Sequence, residues 1–289
     1  MDWSILPFLA APFAASLILT GIHAYLGLHV VERGVIFVDL SLAQIAALGA
    51  VVAMLLPITG GDPHHPVVYW TSLAFTFLGA AVFAFVRGQG ARIPQEAIIG
   101  IAYAVATATA VLLMSQTTSE SEHLKDMLVG NILAVTWPEA FKTAALYAAI
   151  GIFHYLCRRP FLLISMDPDR AHAQGVRVRL WDFLFYASFG FVVTSSVAIG
   201  GVLLVFCYLV VPSVAGMLYA RKIGSRLAVA WIMGTVVSML GMFLSVEFDL
   251  PTGAAIVCTF GLVLILMAAV RPLLVRAVAA PRAVAAELP

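Results

Sequence analysis

Long apolar runs broken by short polar punctuation set the pattern of this chain. Nine runs stand out, at about 5–28, 35–57, 67–86, 95–115, 138–157, 181–197, 199–220, 227–246 and 252–270. Most approach the ~20 residues that an α-helix needs to cross ~30 Å of hydrocarbon. Proline, glycine and charged residues separate them at 57–66, 87–94, 117–138, 221–226 and 247–251. A helix satisfies its own backbone in lipid, so the pattern predicts an all-α, polytopic membrane protein with about nine helices, eight to ten in all. The sixth and seventh runs are joined only by Ile199-Gly200-Gly201, and eight is the count if they form one broken unit. No internal repeat interrupts the series. The chain reads as a single membrane unit, 1–289, with a frayed Ala-rich tail at about 272–289.

One polar interruption is long. The stretch 158–182 holds Arg158, Arg159, Arg170, Arg177 and Arg179, together with Asp167, Asp169, Asp182 and His172. Asp167-Pro168 is a helix start, a capping carboxylate followed by proline at the first helical position. Gly175 is a stop. A short polar helix over Asp169 to Gln174 is expected, slung between two spans. Local features leave two readings open, a solvated basic loop or a handle for a soluble partner.

Composition agrees with a membrane protein and narrows the partners. The chain is 62% hydrophobic and 11% charged, with mean hydropathy +1.03, more apolar material than a soluble core of this length needs. A net charge of +1 implies no attraction to nucleic acid. Cys157, Cys207 and Cys258 lie in apolar runs and read as small core residues. Asp2, with no basic region beside it, predicts a first span that is retained.

Fourteen of the sixteen Lys and Arg fall in one set of alternating loops, leaving only Lys125 and Lys142 in the other. The basic set faces the cytosol by the positive-inside rule, so nine spans put the N-terminus outside and the C-terminus inside. The outer loops carry Asp62, His64, His65, Glu120, Glu122, His123, Asp126, Glu247 and Asp249. That set suits an arriving cation and is also what outer loops poor in Lys and Arg look like.

Ionisable groups within spans are expensive and need a reason. His23 and His29 are six residues apart, about 120° off a common helix face, so either can line a path but the two do not share one metal. Asp39 and Gln44 are about 140° apart, whereas Ser41 and Gln44 share a face. Gln44 suits a pore or a contact between helices. Glu96 sits at a helix start, where the dipole favours it. His154 is expected to reach the interface. The segment Asp126 to Ala140 is too short to span and is open as a re-entrant piece or a surface helix; Trp137-Pro138-Glu139 then starts the next helix. Pro212 bends the seventh run and frees a carbonyl near Tyr208. No G-x-x-x-x-G-K-[ST], H-E-x-x-H or G-x-S-x-G occurs, so no enzymatic activity is expected of this chain.

The order of these pieces resembles the membrane subunit of the ABC-3 family of manganese, zinc and iron importers over about residues 15–270. The resemblance rests on GLHVVERGVIFVDLSLAQIAALGA, EAIIGIAYAVATA, LVGNILAVTW, DPDRAHAQGV, IGGVLLVFCYLVVPSVAGMLYARK and DLPTGAAIVC. It implies a type II importer-like bundle in the bacterial plasma (inner) membrane. It also implies a homodimer of membrane subunits, two ATPase subunits that hold the ATP, and an external metal-binding protein, periplasmic or lipoprotein. Zinc, manganese or iron is then cargo, with no cofactor on this chain. Asp167, Pro168, Asp169, Ala171 and Gly175 match the family's D-P-E-x-A-x-x-x-G coupling segment. The candidate path comprises His23, His29, Asp39, Gln44 and Pro212, with Asp39 and His29 the candidate metal contacts. In the second span the family's G-D-x-L-x-H-A becomes Asp39 at the Gly, Leu40 at the Asp and Gln44 at the His. That departure keeps a metal chelate as the alternative cargo and, further off, an ion-gradient carrier as the alternative class.

Overall fold

The computed structural model describes residues 6–60, 62, 65–86, 93–115 and 132–286. The described residues are helical throughout: α1 (Leu6–Glu32), α2 (Val38–Met54), α3 (Pro66–Val86), α4 (Gln95–Met114), α5 (Trp137–Leu156), α6 (Arg158–Met166), α7 (Pro168–Ala173), α8 (Val178–Tyr219), α9 (Ile223–Glu247) and α10 (Thr252–Ala286). Six of these are long and apolar enough to cross a membrane alone; α5 and α6 add a pair bent by 75°, and α2 is a shorter apolar helix.

α8 is two crossings in one. Straight, its 42 residues would run about 63 Å. Yet Asp182, near its start, pairs with Arg33, and Arg226, just past its end, pairs with Glu32, so both ends meet the same end of α1. The helix therefore doubles back. The turn is at Gly201, with φ 72° and ψ 163°, a backbone region that glycine alone occupies readily. We call the halves α8a and α8b. Counted separately, and with the shorter α2 and the bent α5–α6 pair included, they make nine candidate traverses among the described residues, beside the roughly nine expected from the apolar runs.

Alternation of direction follows from contacts at that same end. The Phe37 N–H donates to Glu96 Oε1 at 3.2 Å, tying the start of α4 to that of α2. Gln95 Nε2 donates to the Phe83 carbonyl at 2.9 Å and to Tyr186 Oη at 3.2 Å. Arg33, Glu96, Asp182 and Arg226 thus lie at one arginine-rich end.

The core runs through α1 and α8, with Leu19, Leu26, Phe185, Phe189 and Leu209 all buried. Close approach needs small residues where no hydrophobic force drives helices together. A Cβ on Gly27 would lie 1.9 Å from the Leu209 carbonyl oxygen, so α1 and α8b touch backbone to backbone there. Pro212 sits just beyond, buried inside α8b. The Ser213 hydroxyl donates to the Leu209 carbonyl at 2.7 Å, supplying a donor next to the turn that proline interrupts.

α5 starts where the sequence placed it, with the Thr136 N–H and Oγ1 both donating to Glu139 Oε2 at 2.9 and 2.8 Å. Of the Asp126 to Ala140 segment, 126–131 lie outside the described residues. Ile132–Ala134 form a 3-10 turn whose Ile132 is buried in the main core, so this end of the segment packs inward. His64, Glu120, Glu122 and His123 also lie outside the described residues. The three cysteines are free thiols; Cys157 and Cys207 are half-buried, but Cys258 is exposed on its helix and is not a core residue.

Candidate functional site

Several buried polar groups of the arginine-rich half form one connected cluster. α6 is amphipathic and lies across the end of the bundle, bent 75° from α5, with Phe161, Ile164 and Ser165 inward. The spacing i, i+3, i+4 is that of one helix face. Ser165 Oγ donates to the Phe161 carbonyl at 2.9 Å and accepts from Arg33 Nε at 2.8 Å. His29 Nδ1 lies 2.8 Å from the same oxygen. A hydroxyl has one proton and two lone pairs, so with the proton on Phe161 it accepts from His29 Nδ1 as well. The other ring nitrogen of His29, Nε2, has no hydrogen-bond partner.

Arg33 continues the chain. Its Nη1 is 2.7 Å from Asp182 Oδ1, both side chains fully buried, and its guanidinium lies 4.0 Å over the Phe185 ring. The end of α1, the inner face of α6 and the start of α8a are thus joined through charge-assisted hydrogen bonds.

His154 enters the same cluster, which corrects the expectation that it reaches the interface. It is 1% exposed, because α6 folds over it and Phe161 stacks on its ring at 4.4 Å. Its Nε2 lies 2.8 Å from Ser188 Oγ, whose proton goes to the Phe185 carbonyl at 2.9 Å. The other ring nitrogen, Nδ1, has no hydrogen-bond partner. Tyr25 packs edge-on against both His29, at 4.8 Å, and His154, at 5.5 Å, and its hydroxyl is unpartnered too.

The other candidates lie apart from this cluster. His23 is fully buried, with Nδ1 donating to the Leu19 carbonyl at 2.8 Å and Nε2 at 3.2 Å from Ser196 Oγ. Asp39 and Gln44 are on α2, which α3, α4 and α8 surround, so both are buried although 140° apart. Asp39 is 1% exposed and its Oδ1 has no partner; Ser41 Oγ is likewise buried and unpartnered. Leu40 is half-buried against the core. Among the described residues no three His, Cys, Asp or Glu side chains gather into a set fit for a metal ion.

α7 has the ends the sequence predicts. The Asp167 side chain accepts from the Arg170 N–H at 3.0 Å, Pro168 is the first helical residue, and Gly175 has φ +69°. Asp169 is exposed, whereas Ala171 is fully buried. Ala171 packs with Ile164 of α6 and Val178 of α8a, and Trp181 closes the contact. The exposed side of α7 therefore carries Asp169, Arg170, His172 and Gln174, and the buried side leads through α6 to Ser165. Sequence reading missed Ser165, Arg33 and Asp182 as a set.

Comparisons with known proteins cover nearly the whole chain. It is 27% identical over 216 residues to the manganese import system permease protein ScaB of Streptococcus parasanguinis, covering 71% of this chain and 77% of that one. It is 25% identical over 260 residues to a probable iron transport system membrane protein of Haemophilus influenzae, covering 89% and 92%. The fold resembles a solved structure of PsaBC from Streptococcus pneumoniae in complex with Fab, with TM-score 0.74, 23% identity and 90% of each chain covered. It also resembles an inward-facing, putative metal-chelate type ABC transporter, with TM-score 0.68, 18% identity and coverage of 90% and 85%. The profile of the ABC 3 transport family matches residues 6–271, and the chain, a multi-pass membrane protein, belongs to that family.

Proposed function

We propose that this chain is the permease of an ATP-driven importer that carries divalent metal ions, manganese, zinc or iron, into the bacterial cytosol. The observation that carries this reading is the likeness to manganese and iron permeases, which in the iron case runs through 89% of the chain. The arginine-rich end then faces the cytosol, as the positive-inside rule requires, in the plasma membrane. Two copies form the pathway, two ATPase subunits sit beneath them, and a metal-binding protein delivers cargo from outside.

The motion enters at α7. Asp169, His172 and Gln174 meet the ATPase, and Ala171 transmits the push to α6 and α8a. Ser165 passes it to His29 and Arg33, so that α1 tilts with α6. Asp39, a buried carboxylate with an unpaired oxygen, is the group on α2 fit to meet a cation. The apolar Leu40 beside it favours a second reading, in which the cargo is a metal chelate and needs no carboxylate–imidazole pair.

Uptake of labelled Mn²⁺, Zn²⁺ and Fe²⁺ into proteoliposomes holding this chain and its ATPase tests the reading. Transport should require ATP and the ATPase. Cargo crossing equally fast without the ATPase would overturn it, and uptake of a chelate indifferent to free Mn²⁺ and Zn²⁺ would favour the second reading.

A further inference from the structure

A groove of about 490 Å³ lies between α1, α5 and α9. Its volume is in the ~300–1,000 Å³ range of small-molecule sites. Glycines make the space. Gly21 of α1, Gly151 of α5 and Gly224 of α9 all line it, and a Cβ added at any of them would meet no atom within 4 Å. Ile18, Leu28, Leu162 and Leu227 make its walls apolar. Trp231 forms one flank, its indole N–H donating to the Gly21 carbonyl at 3.0 Å.

The groove has one charged end. Arg158, the exposed first residue of α6, lines it there, with its guanidinium 4.4 Å over the ring of Tyr155, another lining residue. Arg221 and Lys222, both exposed, directly precede Ile223 and Gly224 of the lining. An apolar trough thus runs along three membrane-crossing helices and ends, at the arginine-rich surface, in a basic mouth.

We propose that this groove binds one anionic glycerophospholipid from the leaflet on the arginine-rich side. One acyl chain lies over the glycines, and the headgroup phosphate is held by Arg158. Tyr155 and Trp231 are 64% and 44% exposed, so the flanks face hydrocarbon and a lipid enters sideways. A guanidinium donates to phosphate through paired N–H groups. Basic pockets between helices at the cytoplasmic surface suit anionic headgroups. Tyr25 also lines the groove, and its ring packs on His29 and His154. A seated chain therefore braces the cluster that joins α6 to α1. The inference rests on the membrane topology and not on the identity of the cargo.

Native mass spectrometry tests it, on the full chain purified with its ATPase, delipidated and titrated with phosphatidylglycerol or phosphatidylcholine of the same acyl chains. The wild type should take one phosphatidylglycerol per chain, with phosphatidylcholine roughly tenfold weaker, because its phosphate is the same but its choline cation is repelled by the basic mouth. Gly151→Leu fills the trough from α5 and should abolish the bound lipid. Gly21→Leu fills it from α1 and serves the same end if the first variant does not fold. Arg158→Gln should keep the chain in place and narrow the gap between the two headgroups, leaving what Arg221 and Lys222 supply. Lipid retained unchanged by a folded, groove-filled variant, or an anionic preference undiminished by Arg158→Gln, would overturn the proposal. So would a disulfide between two copies through cysteines placed at Gly151, which would make the groove an interface.

Discussion

Arg33 and Asp182 form a fully buried ion pair 149 residues apart in sequence, with Nη1 2.7 Å from Oδ1. Burying two charges is costly, and removing one partner leaves the other uncompensated. Arg33→Met or Asp182→Leu alone should therefore cost about 3–5 kcal/mol. The double variant should recover much of that loss. Thermal unfolding in detergent, arranged as a double-mutant cycle, measures the coupling; additive single losses would mean that the pair is not a unit.

Gly201 turns α8 back on itself with φ 72° and ψ 163°. A side chain there is strained by about 1–3 kcal/mol. Gly201→Ala should lower the unfolding temperature. Gly200→Ala should not, since its Cβ would meet Leu204 at an ordinary 3.4 Å. Equal effects at the two positions would contradict the assigned turn.

The two faces of α7 separate folding from coupling. Ala171 is fully buried, so Ala171→Leu overpacks the contact with Ile164 and Val178 and should destabilise by about 1–3 kcal/mol. Asp169 is exposed, so Asp169→Arg should leave the unfolding temperature unchanged. It should still uncouple ATP hydrolysis from uptake in proteoliposomes. Normal transport by Asp169→Arg would remove this helix from the docking surface.

Asp39 is tested by Asp39→Asn, which keeps the shape and removes the charge. Uptake of Mn²⁺ should fall by about tenfold or more, equivalent to ~1.4 kcal/mol, while the complex with the ATPase still assembles. Unchanged uptake would favour a cargo that is not a bare cation.

The features that sequence reading caught are those encoded locally. Apolar runs locate the long helices because each must match the hydrocarbon on its own. Asp167-Pro168 and Gly175 locate α7 because capping chemistry lies within a few residues. α6 escaped because two arginines and Pro160 at its start look like a loop, although Phe161, Ile164 and Ser165 already mark a helix face. The cluster was not legible for a different reason. Ser165 meets His29 and Arg33 from 136 and 132 residues away, and His154 owes its burial to a helix that was not foreseen. Asp39 and Gln44 are about 140° apart on α2, and both are buried because α3, α4 and α8 all pack against it.

Between Asp182 and Arg221 the chain carries no charged residue and no histidine. With the arginine-rich end toward the cytosol, as we propose, and the bend at Gly201, this stretch can enter the bilayer as a preformed helical pair, both of its ends staying on the side where synthesis takes place. Nothing hydrated has to be dragged through lipid to complete it. Biogenesis of the bundle's centre therefore needs no translocated loop, and a reporter inserted at Gly201 would itself create the barrier to insertion that the natural sequence lacks.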